Sequence, residues 1–548
     1  MKLERRVVLI VLCITLLLNQ SVIPATNGQE NSLEGIEWHK PIHFVGAQPT
    51  LVLLVEFSDV RLKLSASKAE AIVKTADEFF RKSSYGKFWL EYYIHPRKIT
   101  LPKPLKHYGA PEPGHQRGDS AKGLSDFYVT VFSTVREREK IDLTKFKHVI
   151  IIHAGGNEGI SGNPDDIWYH CFFSLGVYLF TEKLGTVEKA LELSKKMWPQ
   201  WYPITEQLVI SKPDGSYHLL AGVEAVSEDT PPFGIIHEFT HSIWAHDQYV
   251  YDEDGYSYGS EAGVWTNMDI GSFLKPTVDI DGWTKYKLGW VDVVKVTKSG
   301  EYVIHTLDKA DEPKALIIPI NDREYYFIHA RRPVGQDAAL PAPGVLLFRI
   351  NPYVYTNVIN KDYWIRLHDA HPQRPTFCTE SERYSWNVRM CEGFDAVAYE
   401  SSGYRNKWKI VLHDDRVVDE LDIELVSPEF VTEEGYRIKV LEFDREKGTA
   451  RISVDLTGFP SDRTVTVTRT VFGTVVQTVY TTATVFGEAM RTVVVTVTTA
   501  PHPRQTNIEN YVSIVIVLAA LAVAFAGIVL RRSRPYPPPP PPSPTPYP

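Results

Sequence analysis

Apolar positions change their rhythm several times along this chain. Thr50–Phe57 (TLVLLVEF) is a nearly continuous apolar run, the pattern of a strand buried on both faces, and Lys147–His153 (KHVIIIH) repeats it. Between them Ala66–Arg81 has helical spacing, closed by Ser83-Ser84-Tyr85-Gly86-Lys87, and Phe88–Ile94 reads as another strand. Near residue 236 the helical period returns. Pro232, Ile236, Phe239 and Ile243 form one apolar stripe, Thr230 is placed to cap the helix, and Pro231 and Pro232 suit a first turn that needs no backbone donor. From Val293 to about Leu456, short alternating segments such as EYVIHTL, KALIIPI, YYFIHAR and GVLLFRI, separated by turn residues, predict a β-rich region.

The two ends have patterns of their own. Lys2, Arg5 and Arg6 precede an apolar run from Val7 to Leu18 and then Pro24-Ala25, so residues 1–27 read as a secretory signal peptide, with an N-terminal anchor as the alternative. Residues 461–505 are Thr/Val-rich, with TVFG recurring at Thr470 and Thr484; the expectation is an extended surface stalk, against a strand-swapping oligomerisation segment. Residues 511–530 are apolar and charge-free over about 30 Å of helix, long enough for a bilayer span. Arg531, Arg532 and Arg534 then place the Pro-rich tail, 531–548, in the cytoplasm and the N-terminal part outside the cell.

Composition narrows the function classes. A formal net charge of −8, with no basic stripe, argues against a nucleic-acid partner. Of the four cysteines, Cys13 falls in the signal peptide, Cys378 and Cys391 are spaced for a short disulfide loop, and Cys171 is expected to be a buried small apolar side chain rather than a reactive thiol.

Chemistry concentrates on the helix at residue 236. His237-Glu238-Phe239-Thr240-His241 is an H-E-x-x-H motif, which puts both imidazoles on one helix face, able to bind one zinc ion, with Glu238 beside them to take a proton from a water. The bland alternative is a buried helix with two hydrogen-bonded structural histidines. A catalytic zinc needs a third protein ligand. Asp247 stands ten residues after His237, Glu261 twenty-four, and His246 nine.

Three stretches, HEFTHSIWAHDQY, SEAGVWTNMDIGS and WTKYKLGW, resemble the immune-inhibitor-A family of secreted zinc metalloproteases. The likeness runs roughly from Pro49 to Ile350, with its sharp motifs confined to Pro232–Trp290. It implies that His237, His241 and Asp247 bind zinc, that Glu238 is the base, that Met268 is the residue of a Met-turn, and that calcium is a second candidate cofactor, for which Asp252-Glu253-Asp254 offers oxygens. The family pattern carries Gly, at positive φ, three residues after the second His. Here the residue is Trp244, and a bulky side chain rarely takes that conformation, so the path to Asp247 is expected to differ.

The expected architecture is therefore a signal peptide (1–27), an α+β or α/β zincin-like catalytic domain (36–292), a β-rich domain (293–458), a Thr-rich stalk (461–505), one C-terminal transmembrane helix (511–530) and a Pro-rich tail (531–548). The expected activity is a cell-surface zinc endopeptidase acting on proteins or peptides, anchored to the membrane by that single span. The alternative is a catalytically silent adhesin or envelope protein on the same fold. For the residue that stabilises the oxyanion, Tyr256, Tyr258 and Tyr286 are all candidates.

Overall fold

Five strands make the sheet on which the H-E-x-x-H helix rests: β1 (Gly46–Glu56), β2 (Phe88–Thr100), β3 (His148–His153), β4 (His170–Phe173) and β5 (Gly222–Ser227), in the spatial order β2-β1-β3-β5-β4. All pairings are parallel except β4–β5 at one edge. The continuous apolar runs lie at the centre of the sheet, where both faces are covered, and Leu51–Val55 and Val149–Ile152 are fully or almost fully buried. The computed structural model describes residues 35–457 apart from 112–119, 252–256, 359–360, 362, 369–404, 412–414, 416 and 425–428.

The helix Ala66–Ser83 packs Ala69, Val73, Ala76 and Phe80 inward and is capped by Ser65, whose hydroxyl accepts the Lys68 amide at 3.3 Å. It ends where Tyr85 (φ 57°) and Gly86 (φ 78°) turn left-handed, at the S-Y-G-K stretch. The central helix, Pro232–Ser242, is enclosed on all sides from Phe233 onward. Phe239 touches Phe80 (5.2 Å between centroids) and His148 (4.9 Å), so the helix is wedged between Ala66–Ser83 and the sheet. Close approach is possible because residue 222 is glycine: a Cβ there would stand 2.7 Å from Ser242 Cα. Thr230 does not cap this helix. Pro231 is the capping residue, and the Thr230 hydroxyl accepts the Ser227 amide at 3.0 Å instead. With proline at 232, one of the two amides a capping oxygen at Thr230 would seek does not exist.

Past Trp290 the described elements are strands joined by turns. A five-stranded sheet contains Ala315–Pro319, Tyr325–Arg331 and Gly344–Ile350, and a four-stranded antiparallel sheet contains Arg437–Asp444 and Thr449–Asp455. Alternation sorts the middle layer cleanly. Ala315, Phe327, Leu346 and Phe348 face a layer of Trp265, Trp283 and Trp364, while Leu316, Ile318, Ile328 and Leu347 face Ile438, Val440 and Ile452.

Buried ions join the strands to the segment before them. Arg331 pairs with Asp337 and donates to the carbonyls of Trp265 and Asp279 (3.1 Å to the latter), and Lys285 pairs with Asp279 at 2.6 Å. Asp279 also accepts from the Ser83 hydroxyl at 2.5 Å. Ions this deep are tolerable only when several partners satisfy each of them, as here.

The architecture expected from sequence needs a correction. The described chain is a mixed α/β fold with sheets, and among its described residues no helix is long and apolar enough to cross a membrane. The physical reason is plain in the longest described helix, Ala66–Ser83: Lys68, Glu70, Lys74, Asp77, Glu78, Arg81 and Lys82 make it an amphipathic surface helix. The signal peptide (1–27), the stalk (461–505), the segment 511–530, the Pro-rich tail and the cysteines Cys13, Cys378 and Cys391 all lie outside the described residues.

His148 gives the fold a pH dependence. Its ring is fully buried, with Nδ1 2.8 Å from the Ser242 hydroxyl; burial, and then the charge of Lys147, lower its pKa to about 3. Between about pH 3 and 6.5 the unfolded chain binds a proton that the folded protein refuses, so stability falls as pH falls through that window. His170, lowered to about 4 chiefly by burial, acts in the same direction. His148→Asn, which keeps a partner for Ser242 and does not titrate, should lose less stability than the parent between pH 7 and 4.5, by on the order of 2 kcal/mol. Urea unfolding at the two pH values measures it, and equal losses in both proteins would remove His148 from this role.

Candidate metal centre

One helical turn separates His237 from His241, and their ring centroids are 4.9 Å apart. Each ring is oriented from behind. His237 Nδ1 is 2.7 Å from the Asn267 carbonyl, and His241 Nδ1 is 2.7 Å from the Ala245 carbonyl. A carbonyl can only accept, so each Nδ1 carries the proton and, in the neutral ring, each Nε2 presents a lone pair. Both Nε2 atoms lie 3.3 Å from the same oxygen, Asp247 Oδ1, which has no hydrogen-bond partner in the protein. The three side chains keep only 11, 10 and 13 % exposure, and the oxygen on which they converge is buried.

Asp247 reaches that point through a strained residue. Trp244 adopts φ 68°, the left-handed conformation that favours glycine and that a side chain of this size rarely takes. Its surroundings hold it there. The indole Nε1 donates to the Ala221 carbonyl (3.0 Å), and the ring lies against Phe44 (5.0 Å) and Tyr178 (4.9 Å). The Trp244 amide bonds back to the His241 carbonyl at 2.8 Å, and its own carbonyl accepts the buried Lys287 ammonium at 2.6 Å. Burial pulls the Lys287 pKa down to about 7. The path from His241 to Asp247 is thus a left-handed turn at Trp244, stabilised by packing instead of by glycine.

The Trp265–Ser272 segment forms the floor. Besides orienting His237 through its carbonyl, Asn267 donates from Nδ2 to the Thr240 hydroxyl at 2.9 Å. Met268 is fully buried, and its carbonyl accepts the Gln248 amide at 2.9 Å, tying the floor to the residue after Asp247. Asp269 closes the turn, with one carboxylate oxygen accepting the amides of Glu261, Ala262 and Gly263.

Electrostatics divide the acids by role. Glu238 is 3 % exposed, and burial first, then the neighbouring charge of Asp247, lift its pKa to about 8 despite the opposing effect of His237. Burial also works against a charge on Asp247, but the two imidazoles outweigh it and hold this carboxyl well below its usual range. In return, Asp247 raises both imidazoles against the opposing effect of burial. Glu224, on β5, is the surprise of the region. It is fully buried with no partner for either oxygen, and burial, then the proximity of Glu238, push its pKa far up, so it stays a neutral acid. Cys171 faces it across the β4–β5 pair, and burial followed by Glu224 and Glu238 keeps its thiol protonated and unreactive.

The other candidates go elsewhere. Glu261 pairs with Arg366 at 3.6 Å, and the His246 ring packs among His39, Phe173 and Tyr355; among the described residues only His237, His241 and Asp247 form a group that can hold a metal, with ligand atoms within 4.8 Å of one another. Asp252-Glu253-Asp254 and Tyr256 lie outside the described residues, and Tyr286 packs on Phe327. Sequence reasoning missed Glu224, Lys287 and the tyrosines flanking Asp247. A single acid inside the apolar run GVEAVS was a readable sign of the first; the others carry no local pattern.

Three lone pairs cannot face one another without a positive charge between them, whether protons or a metal ion. Two imidazole nitrogens and one carboxylate oxygen are a donor set that suits zinc. No protein-family model matches the chain, and no curated protein matches it. The geometry separates the two third-ligand candidates experimentally. Asp247→Ala should lower zinc affinity by at least about tenfold, whereas Glu261→Ala should keep the parent's metal content. Metal analysis of the purified variants decides between them, and the reverse result would move the third ligand to Glu261.

Proposed function

We propose that this chain is a zinc-dependent peptidase, with His237, His241 and Asp247 as metal ligands and Glu238 as general base. The observation that supports it most is the convergence of two imidazole Nε2 atoms and one carboxylate oxygen beside a buried glutamate. The resemblance of HEFTHSIWAHDQY and SEAGVWTNMDIGS to the immune-inhibitor-A proteases favours the peptide bond as substrate. Zinc, when bound, supplies Lewis-acid polarisation of a carbonyl and lowers the pKa of water.

The protein's own groups do the rest. Glu238 follows His237 in the helix, so the residue that holds the base also holds a ligand, and their relative placement is as rigid as one turn of buried helix. Burial raises the Glu238 pKa to about 8, so its carboxylate, once ionised, is a stronger base than an exposed one. The Asn267 and Ala245 carbonyls hold both imidazoles as lone-pair donors throughout. Glu224, neutral beneath the helix, adds no second negative charge to oppose ionisation of Glu238.

Glu238→Gln keeps size and ligands and removes the acceptor. Its zinc content should equal the parent's, while hydrolysis of a general protein substrate should fall by about 10²–10⁴-fold. Turnover within tenfold of the parent would take Glu238 out of the reaction. Zinc binding without any cleavage by the parent would instead favour a silent protease fold.

A further inference from the structure

The helix positions two ligands by itself, but Asp247 lies beyond its end, and what aims this carboxylate comes from elsewhere in the chain. Tyr251 donates its hydroxyl to Asp247 Oδ2 at 2.6 Å, which leaves Oδ1 as the oxygen turned to the imidazoles. The backbone beside it is held from the connection between the strands Gly344–Ile350 and Ile365–Leu367. The Asp247 carbonyl accepts from Trp364 Nε1 at 3.2 Å, and the next carbonyl, Gln248, accepts from Asn357 Nδ2 at 3.2 Å. The Tyr251 amide donates to the Asn357 carbonyl at 3.0 Å, so the same residue fixes the strand that carries the tyrosine. Asn357 is itself immobilised: it is fully buried, and its Oδ1 accepts the amides of Trp364 (3.0 Å) and Ile365 (3.2 Å). Trp364, 1 % exposed, is stacked on His39 with centroids 4.0 Å apart.

We infer that Tyr251, Asn357 and Trp364 are positioning residues for the third metal ligand, so that the affinity of the centre is set in part by the connection between the strands Gly344–Ile350 and Ile365–Leu367, more than a hundred residues beyond the helix. The inference rests on the metal-centre reading above. An unrestrained aspartate samples rotamers in which neither oxygen meets the imidazoles. A hydrogen bond to one oxygen and an anchored main chain select the rotamer in which the other does, and contacts of this kind typically set metal affinity by about 10–100-fold. No hydrogen bond in this arrangement is local to the H-E-x-x-H helix, so the second half of the chain is part of the metal centre.

The test uses the full chain and two substitutions that preserve aromatic packing, Tyr251→Phe and Trp364→Phe, with Asn357→Ser as a further variant should Trp364→Phe fold poorly. Zinc affinity is measured by competition with a chromogenic chelator, and ligand geometry by the visible absorption of the Co²⁺-loaded chain. Each variant should bind zinc at least about tenfold more weakly than the parent, with shifted cobalt bands. Parent-like zinc affinity in Tyr251→Phe overturns the inference. So does weaker binding with an unchanged cobalt spectrum, which would assign Tyr251 to general stability. A parent chain that takes up no zinc at all overturns the metal-centre reading and this one with it, which separates the two failures.

Discussion

Two backbone carbonyls govern what His237 and His241 can do. Because the Asn267 and Ala245 oxygens each accept a hydrogen bond from an Nδ1–H, the opposite ring nitrogens are the ones aimed at one place, Asp247 Oδ1. Those carbonyls belong to different parts of the chain, one to the turn below the helix and one to the loop that leaves it. Holding both requires the turn, the loop and the helix to be packed together before any ligand arrives. Much of the buried polar structure around the centre serves that requirement: Asn267 on Thr240, the Gln248 amide on Met268, and Lys287 on Trp244.

The seam between the first sheet and the later strands follows from the same need. Arg331, reaching from the five-stranded sheet to the Trp265 carbonyl, braces the start of the turn whose next members orient His237. Removing one partner from such a fully buried ion cluster leaves a charge without compensation, which typically costs about 3–5 kcal/mol. The cluster therefore ties the floor of the centre to the stability of the strands, and links residues that are neighbours only in space.

What the sequence disclosed, and what it hid, divides along the range of the interactions. Period and spacing were enough for the buried runs of β1 and β3, for the helix Ala66–Ser83 with its turn at Tyr85-Gly86, and for the pairing of His237 with His241, because each rests on contacts within a few residues. Asp247 was chosen by resemblance over Glu261 and His246, and the structure places it alone of the three with the imidazoles. Thr230 does not cap the helix because its hydroxyl accepts the Ser227 amide instead, a pairing that no local pattern signals. Glu224 was passed over inside an apolar strand. The roles of Lys287, Tyr251, Asn357 and Trp364 depend on pairings that no periodicity encodes. The apolar run 511–530 lies outside the described residues, among which no helix is long and apolar enough to cross a membrane.

Trp244 shows what a residue letter in a motif stands for. A pattern that writes glycine at that place records a backbone angle, and here the angle is reached by a side chain that glycine could never use: an indole bonded to Ala221 and enclosed by Phe44 and Tyr178. The turn thereby loses its independence. A glycine turn could be moved to another scaffold with the helix alone, whereas this one exists only where that pocket exists, so the helix, its exit and the sheet edge beneath it can be inherited or redesigned only as one piece.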